Sequence, residues 1–170
     1  MEFPSKRPPC HRLAIEDAAA LAAFELARLA AMGSSIRHAG PLGSGALAKR
    51  ATNALLGVQI AALGELIGLL AEQGVDVERV LDAVAVTPVW APVAHYLAGS
   101  MLAGNFAPQF PVELIGKDFD YLSRTAGERA ALPVIEAALA VFARAEARGL
   151  GALNMTSVVN LYRHDIAEIS

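Results

Sequence analysis

Apolar residues recur along this chain at steps of three and four, the spacing that lines one face of a helix. Residues 14–32 predict a first helix, with Ala14, Ala18, Leu21, Phe24, Leu26 and Leu29 as its face and Gly33 as its stop. Ile36-Arg-His38 then reads as one short strand. From about Gly45 to Gln73 the pattern changes: Leu47, Ala51, Leu55, Val58, Ala62, Ile67 and Leu70 fall on nearly every side, which predicts a long helix buried on most faces. Within it Gly57, Gly64 and Gly68 each cost about 1 kcal/mol relative to alanine, so their expected use is close contact with a neighbouring helix. Asp76 caps a helix from Val77 to about Val86, which Thr87-Pro88 ends. Another follows near residues 93–102, then a loop over 104–111 whose Phe106 and Phe110 plug it onto the core. Helices from Val112 to about Thr125, from Pro133 to about Arg148 and from Val158 to about Ile166 complete the chain, with Asn154 placed to cap the last.

The expected fold class is therefore all-α, a multi-helix bundle around one long central helix. Composition agrees: 55% of residues are hydrophobic but only 6% aromatic, and alanine and leucine outnumber the β-branched residues that favour strands. A chain of 170 residues suits one domain with a sizeable core. A net charge of −3 gives no basic footprint for nucleic acid. Cys10 is the only cysteine, and the histidines are scattered, so neither a disulfide framework nor a metal site is expected. The apolar run 54–70 carries Gln59 and Glu65 and is short for a membrane span, which points to a buried helix in a cytoplasmic protein. A mean hydropathy of +0.42 is high for a monomer and predicts a homodimer or higher oligomer.

The chemistry concentrates in residues 40–53, Gly40-Pro-Leu-Gly-Ser-Gly-Ala-Leu-Ala-Lys-Arg-Ala-Thr-Asn53. A glycine-rich turn runs straight into the long helix. Ser44 is read as the N-cap of a helix starting near Gly45. The free amides of such a start attract an anion, for instance a substrate carboxylate. Lys49 and Asn53 are four residues apart and share one helix face. Gly43-Ser-Gly-Ala-Leu-Ala48 also fits the G-x-G-x-x-A dinucleotide fingerprint. That motif needs a βαβ unit, whereas helix continues here well past Glu65. The nucleotide-loop reading is rejected.

The pattern Gly40-x-x-Gly-x-Gly-x-x-x-Lys-x-x-x-Asn53 resembles the catalytic-helix signature of the β-hydroxyacid dehydrogenases, a family that includes 3-hydroxyisobutyrate dehydrogenase and, more distantly, 6-phosphogluconate dehydrogenase. Lys117-Asp118 resembles a second signature, a Lys-Asp pair on an amphipathic helix. The resemblance runs from near Asp17 to the end of the chain. It implies that Lys49 is the general acid/base, that Ser44, Gly45 and Asn53 bind a small hydroxyacid substrate, and that Lys117 and Asp118 lie at the NAD or NADP cofactor. It further implies that 1–13 are disordered or peripheral, that 14–40 are the remnant of the end of a cofactor-binding domain, and that 41–170 are a helical catalytic and dimerisation domain. The family has an aspartate where Asn154 stands, and its strand-first G-x-G-x-x-G segment is absent here. The expected function is the C-terminal catalytic domain of an NAD(P)-dependent oxidoreductase acting on a β-hydroxyacid. The alternatives are a non-catalytic helical dimerisation or ligand-binding module and, less favoured, an imine-reducing relative, since those usually replace the lysine found here as Lys49.

Overall fold

The computed structural model describes residues 39–127 and 131–163. The expected first helix and the Ile36–His38 strand lie outside them. Contacts divide the chain after Gly40, and the elements described here belong to the unit that starts at Pro41.

That unit is all-helical. Its elements are α1 (Ser44–Glu72), α2 (Val77–Ala85), α3 (Ala94–Ala103), α4 (Val112–Ala126), α5 (Pro133–Ala147) and a short 3-10 helix, η1 (Met155–Leu161). Among the described residues no strand forms, only an isolated bridge between Pro111 and Asn154. The local punctuation explains the boundaries. Asp76 accepts a hydrogen bond from the Arg79 amide at 3.1 Å and so caps α2. Gly104, at φ 65°, turns the chain out of α3, and Pro133 opens α5.

The middle of the bundle is α1, which touches every other element. Its 29 residues rise about 43 Å, and by length and hydropathy alone it could cross a bilayer, yet it is a core helix of this bundle on one side. The predicted use of its glycines, close contact with a neighbouring helix, holds at Gly57; Gly64 has room for a Cβ and Gly68 faces a residue beyond the last helix. A Cβ on Gly57 would lie 2.5 Å from the Phe119 ring, one on Gly64 would meet Val158 and Val159 at 3.5–3.6 Å, and one on Gly68 would run into Tyr162. Each glycine thus faces a different neighbour: α4, η1 and the residue just after η1. Phe119 and Phe142 stack at 5.7 Å in the centre, and Phe106 and Phe110 pack the 104–111 loop onto the core as expected.

Three local expectations are corrected. Burial of α1 is one-sided, because Leu47, Leu55, Leu66 and Leu69 remain 48–65% exposed. The final element is a 3-10 helix over 155–161, where an α-helix from Val158 was expected. Asn154 stands at its N-cap position but does not cap it. Its buried side chain accepts from the Phe110 amide at 3.1 Å and donates to Thr156 Oγ1 at 2.9 Å and Tyr96 Oη at 3.4 Å. The amide thereby ties the loop before α4 to η1.

At the far end of α1, Tyr162 donates to Glu65 at 3.2 Å and accepts from Arg144 at 3.1 Å. Burial, and then the Glu65 carboxylate, push its phenol above the ordinary value of 10.0, while Arg144 pulls the other way. A raised folded-state value means that the neutral phenol is favoured. Its contribution to stability is complete below the ordinary tyrosine range and is lost as pH rises through the folded value. A difference titration of phenolate absorbance, wild type minus Tyr162→Phe, is expected to have its midpoint above 10.0. A midpoint at or below that contradicts the burial.

Gly57→Ala is expected to lower unfolding free energy by about 1–3 kcal/mol through overpacking on Phe119. Gly99→Ala, whose Cβ would enter open space on α3, should instead stabilise by up to about 1 kcal/mol. Urea unfolding of the two variants checks the contrast.

Candidate functional site

The α1 mouth begins with a correction. Ser44 is the first residue of the helix, and the N-cap is Gly43, at φ 95°. That backbone conformation favours glycine, which accounts for the second glycine of the motif. The Ser44 amide donates to Pro41 O at 3.0 Å and the Leu47 amide to Gly43 O at 3.1 Å. Between them, the amides of Gly45 and Ala46 have no acceptor among the described residues. At the start of α4 the contrast is plain: Val112 and Glu113 donate to the carbonyls of Leu153 and Gly151 at 3.0 and 3.1 Å. Among the described residues the α4 entrance is closed by protein and the α1 entrance is open. A Cβ on Gly45 would meet nothing within 4 Å, so this chain's own packing does not demand that glycine.

Lys49, Asn53, Gly57, Ile60, Gly64 and Ile67 succeed one another at three- or four-residue steps and form one line along α1. From Gly57 onward this line is core. Asn53 is half-buried and Lys49 exposed. The core face of α1 therefore extends past the edge of the bundle, and the uncovered part carries Lys49 and the two open amides. Lys49 makes no hydrogen bond or ion pair among the described residues.

The two signatures meet in space. Asn53 Nδ2 donates to Asp118 Oδ2 at 2.6 Å, half-buried, across 65 positions of sequence. The helices run antiparallel, since Arg50 reaches Thr125, Asn53 reaches Asp118, and Gly57 faces Ile115 and Phe119. Lys117 points about 100° away from Asp118 and is exposed, without a partner among the described residues. Of the adjacent pair, then, the carboxylate makes the structural contact and the amine does not. Lys49 and Lys117 are not joined by any bond. Ser44 and Gly45 stand at the mouth, about 12 Å along the axis from Asn53.

Sequence reasoning missed Arg50. Its guanidinium donates to Thr125 Oγ1 at 3.0 Å and sits 5.7 Å over the Tyr121 ring. It clamps the first turns of α1 to the end of α4. The available signal was its place beside Lys49, and that of Tyr121 one turn beyond Lys117.

Residues 43–162 match a family model described as "NAD-binding of NADP-dependent 3-hydroxyisobutyrate dehydrogenase". An uncharacterised oxidoreductase of Synechocystis is 30% identical over 135 residues, 79% of this chain and 46% of the relative. The 2-(hydroxymethyl)glutarate dehydrogenase of Eubacterium barkeri is 30% identical over 138 residues, 79% of this chain and 45% of the relative. A solved 3-hydroxyisobutyrate dehydrogenase of Mycobacterium tuberculosis, described with L-serine, shares the fold at a TM-score of 0.74 and 24% identity, covering 87% of this chain and 53% of that one. The structural neighbours of this bundle are helical domains of the C-terminal type in 3-hydroxyisobutyrate dehydrogenases. The chain belongs to the 3-hydroxyisobutyrate dehydrogenase family of β-hydroxyacid dehydrogenases, and it spans about half the length of the relatives it matches.

Asn53→Ala and Asp118→Ala are each expected to reduce stability by about 1 kcal/mol, and the double variant by about 1 kcal/mol less than their sum. Urea unfolding of the four proteins measures the coupling. Strict additivity would mean that the bond is not formed in solution.

Proposed function

We propose that this chain is the helical catalytic half of an NAD(P)-dependent dehydrogenase of small 3-hydroxy acids, completed by a dinucleotide-binding domain that covers the open end of α1. The observation that carries the reading is the Asn53–Asp118 bond, which puts the first and second signatures in one place. Beside it a core helix face runs out of the bundle uncovered. Two unpartnered amides at a helix mouth suit a carboxylate. Three compounds named with similar proteins, 2-(hydroxymethyl)glutarate, 3-hydroxyisobutyrate and L-serine, carry a hydroxyl β to a carboxylate, whereas glyoxylate and succinic semialdehyde, named for another, do not.

In this reading the carboxylate lies against the Gly45 and Ala46 amides beside Ser44. Lys49, one to two turns further along α1, takes the proton from the substrate hydroxyl oxygen during oxidation and returns it during reduction. Asn53 spends its Nδ2 on Asp118, so its Oδ1, unpartnered among the described residues, accepts from the hydroxyl. Asp118 is a positioning residue, fixing which end of that amide faces the substrate. Lys117 lies toward the cofactor. Bound NAD or NADP supplies the hydride acceptor or donor.

Lys49→Ala, in a form of the protein carrying the cofactor-binding domain, is expected to lower turnover of a 3-hydroxy acid by at least about 100-fold. Its urea midpoint should not move, since the side chain is exposed. Retained turnover overturns the role of Lys49. The second reading is a non-catalytic helical module, for which the exposed Leu47, Leu55, Leu66 and Leu69 of α1 speak. Calorimetric titration with NADH and NADPH separates the two, because binding by the chain argues against a purely structural role.

A further inference from the structure

Arg50 is a half-buried cation with no counter-charge among the described residues. From Ser44 to Gly64, α1 carries Lys49 and Arg50 and no acidic residue. The two carboxylates that α4 has between Lys117 and Tyr121 are spent elsewhere: Asp118 accepts from Asn53 at 2.6 Å, and Asp120 pairs with Arg124 at 2.8 Å. What Arg50 touches is neutral, the Thr125 hydroxyl at 3.0 Å and the Tyr121 ring at 5.7 Å. Thr125 is itself held, donating to the Tyr121 carbonyl at 2.7 Å. The guanidinium is thus fixed in place while its charge stays uncompensated. The Thr125 bond uses a hydrogen of Nη1. The Nε–Nη2 edge is left whole, and such an edge receives a carboxylate through two parallel hydrogen bonds.

Helix geometry places this edge beside the chemistry. In projection along α1, Asn53 lies between Lys49 and Arg50, about 40° from the first and about 60° from the second. The amine therefore stands on one flank of the amide and the guanidinium on the other. Tyr121 and Thr125 hold that second flank against α4. Tyr121 is 53% exposed, and its hydroxyl, without a partner among the described residues, is a further donor in the same corner.

We propose that Arg50 is a specificity-determining residue that binds a second carboxylate of the substrate, so that the chain prefers 3-hydroxy acids whose C2 substituent ends in an acid group. The inference rests on the dehydrogenase reading above. There the first carboxylate lies against the Gly45 and Ala46 amides, and the hydroxyl meets Lys49 and Asn53. The C2 substituent is then the one group without a contact, and Arg50 the one cation of α1 without a role. A neutral substituent on that flank leaves the guanidinium unanswered, and a binding group left unpaired costs affinity for the analogue that lacks its partner. A carboxylate carried out on a short arm answers it.

Steady-state kinetics of a form carrying the cofactor-binding domain test this with three acids that differ only at C2. They are 2-(hydroxymethyl)glutarate (carboxyethyl), 2-(hydroxymethyl)pentanoate (propyl) and 3-hydroxyisobutyrate (methyl). The carboxyethyl acid is expected to exceed the propyl acid in kcat/KM by at least about 10-fold. Arg50→Met should remove that preference through KM and change kcat/KM for the methyl acid by less than about 3-fold. Arg50→Lys, which keeps the charge but not the fork, should retain part of the preference. A wild type without the preference overturns the inference. So does an equal loss on all three acids in Arg50→Met, which would make Arg50 a clamp on α4 alone. A raised KM for NADPH with the acid preference intact also overturns it, by giving Arg50 to the cofactor. If none of the acids is turned over with NAD or NADP, the dehydrogenase reading fails, and the chain by itself decides about Arg50. A saturable shift of the Arg50 Nε–H resonance with glutarate, absent with pentanoate, keeps it as a carboxylate-binding residue; no shift overturns it.

Discussion

The close approach of α1 and α4 at Gly57 is the constraint from which the site follows. With no side chain there, the Phe119 ring lies where a Cβ would be and Ile115 packs alongside. This fixes the separation and register of two antiparallel helices, and register is what matters for chemistry. One turn toward the start of α1 the facing residues are Asn53 and Asp118, and one turn further Arg50 meets Tyr121 and Thr125. Packing at one end of a seam therefore sets hydrogen bonding at the other. Gly68 repeats the device against Tyr162, whereas a Cβ on Gly64 would make ordinary contact with η1.

In the proposed function the same helix works at its end because its core face outlasts the core. Buried from Gly57 inward, half-covered at Asn53 and open at Lys49, the face passes from packing to chemistry over two turns. The helix mouth retains the unpaired amides that α4 has satisfied with carbonyls from 151 and 153. In the proposed function, a second domain laid over this end finds a proton-transfer amine, an oriented amide and an anion site already assembled. Membership of the 3-hydroxyisobutyrate dehydrogenase family is consistent with that division of labour.

Much of this was legible in the chain. The boundaries of α1 to α5 fell within about a residue or two of expectation, because Asp76, Pro88, Gly104, Pro111 and Pro133 are strong local signals; those of η1 did not. Lys49 and Asn53 were legible as a pair on one face, and their meaning came from resemblance. What stayed hidden depends on contacts remote in sequence. Nothing near Asn53 announces that its partner is Asp118, because that follows from how two helices cross. Ser44 looked like a cap, but the left-handed turn before the helix gave that position to Gly43. Asn154 likewise looked like a cap and instead ties down a loop. The exposed leucines of α1 were illegible for a different reason: hydrophobicity says that a face will be covered, not whether the chain itself covers it.

Amide resonances of the labelled chain, in a form of the protein carrying the cofactor-binding domain, during titration with NADPH and a 3-hydroxy acid test the central claim most directly. The account predicts that Gly45, Ala46, the Asn53 side-chain amide and Lys117 shift together, while residues of α2 and α3 stay in place. Shifts confined to α2 and α3, or none at saturating cofactor, would contradict it.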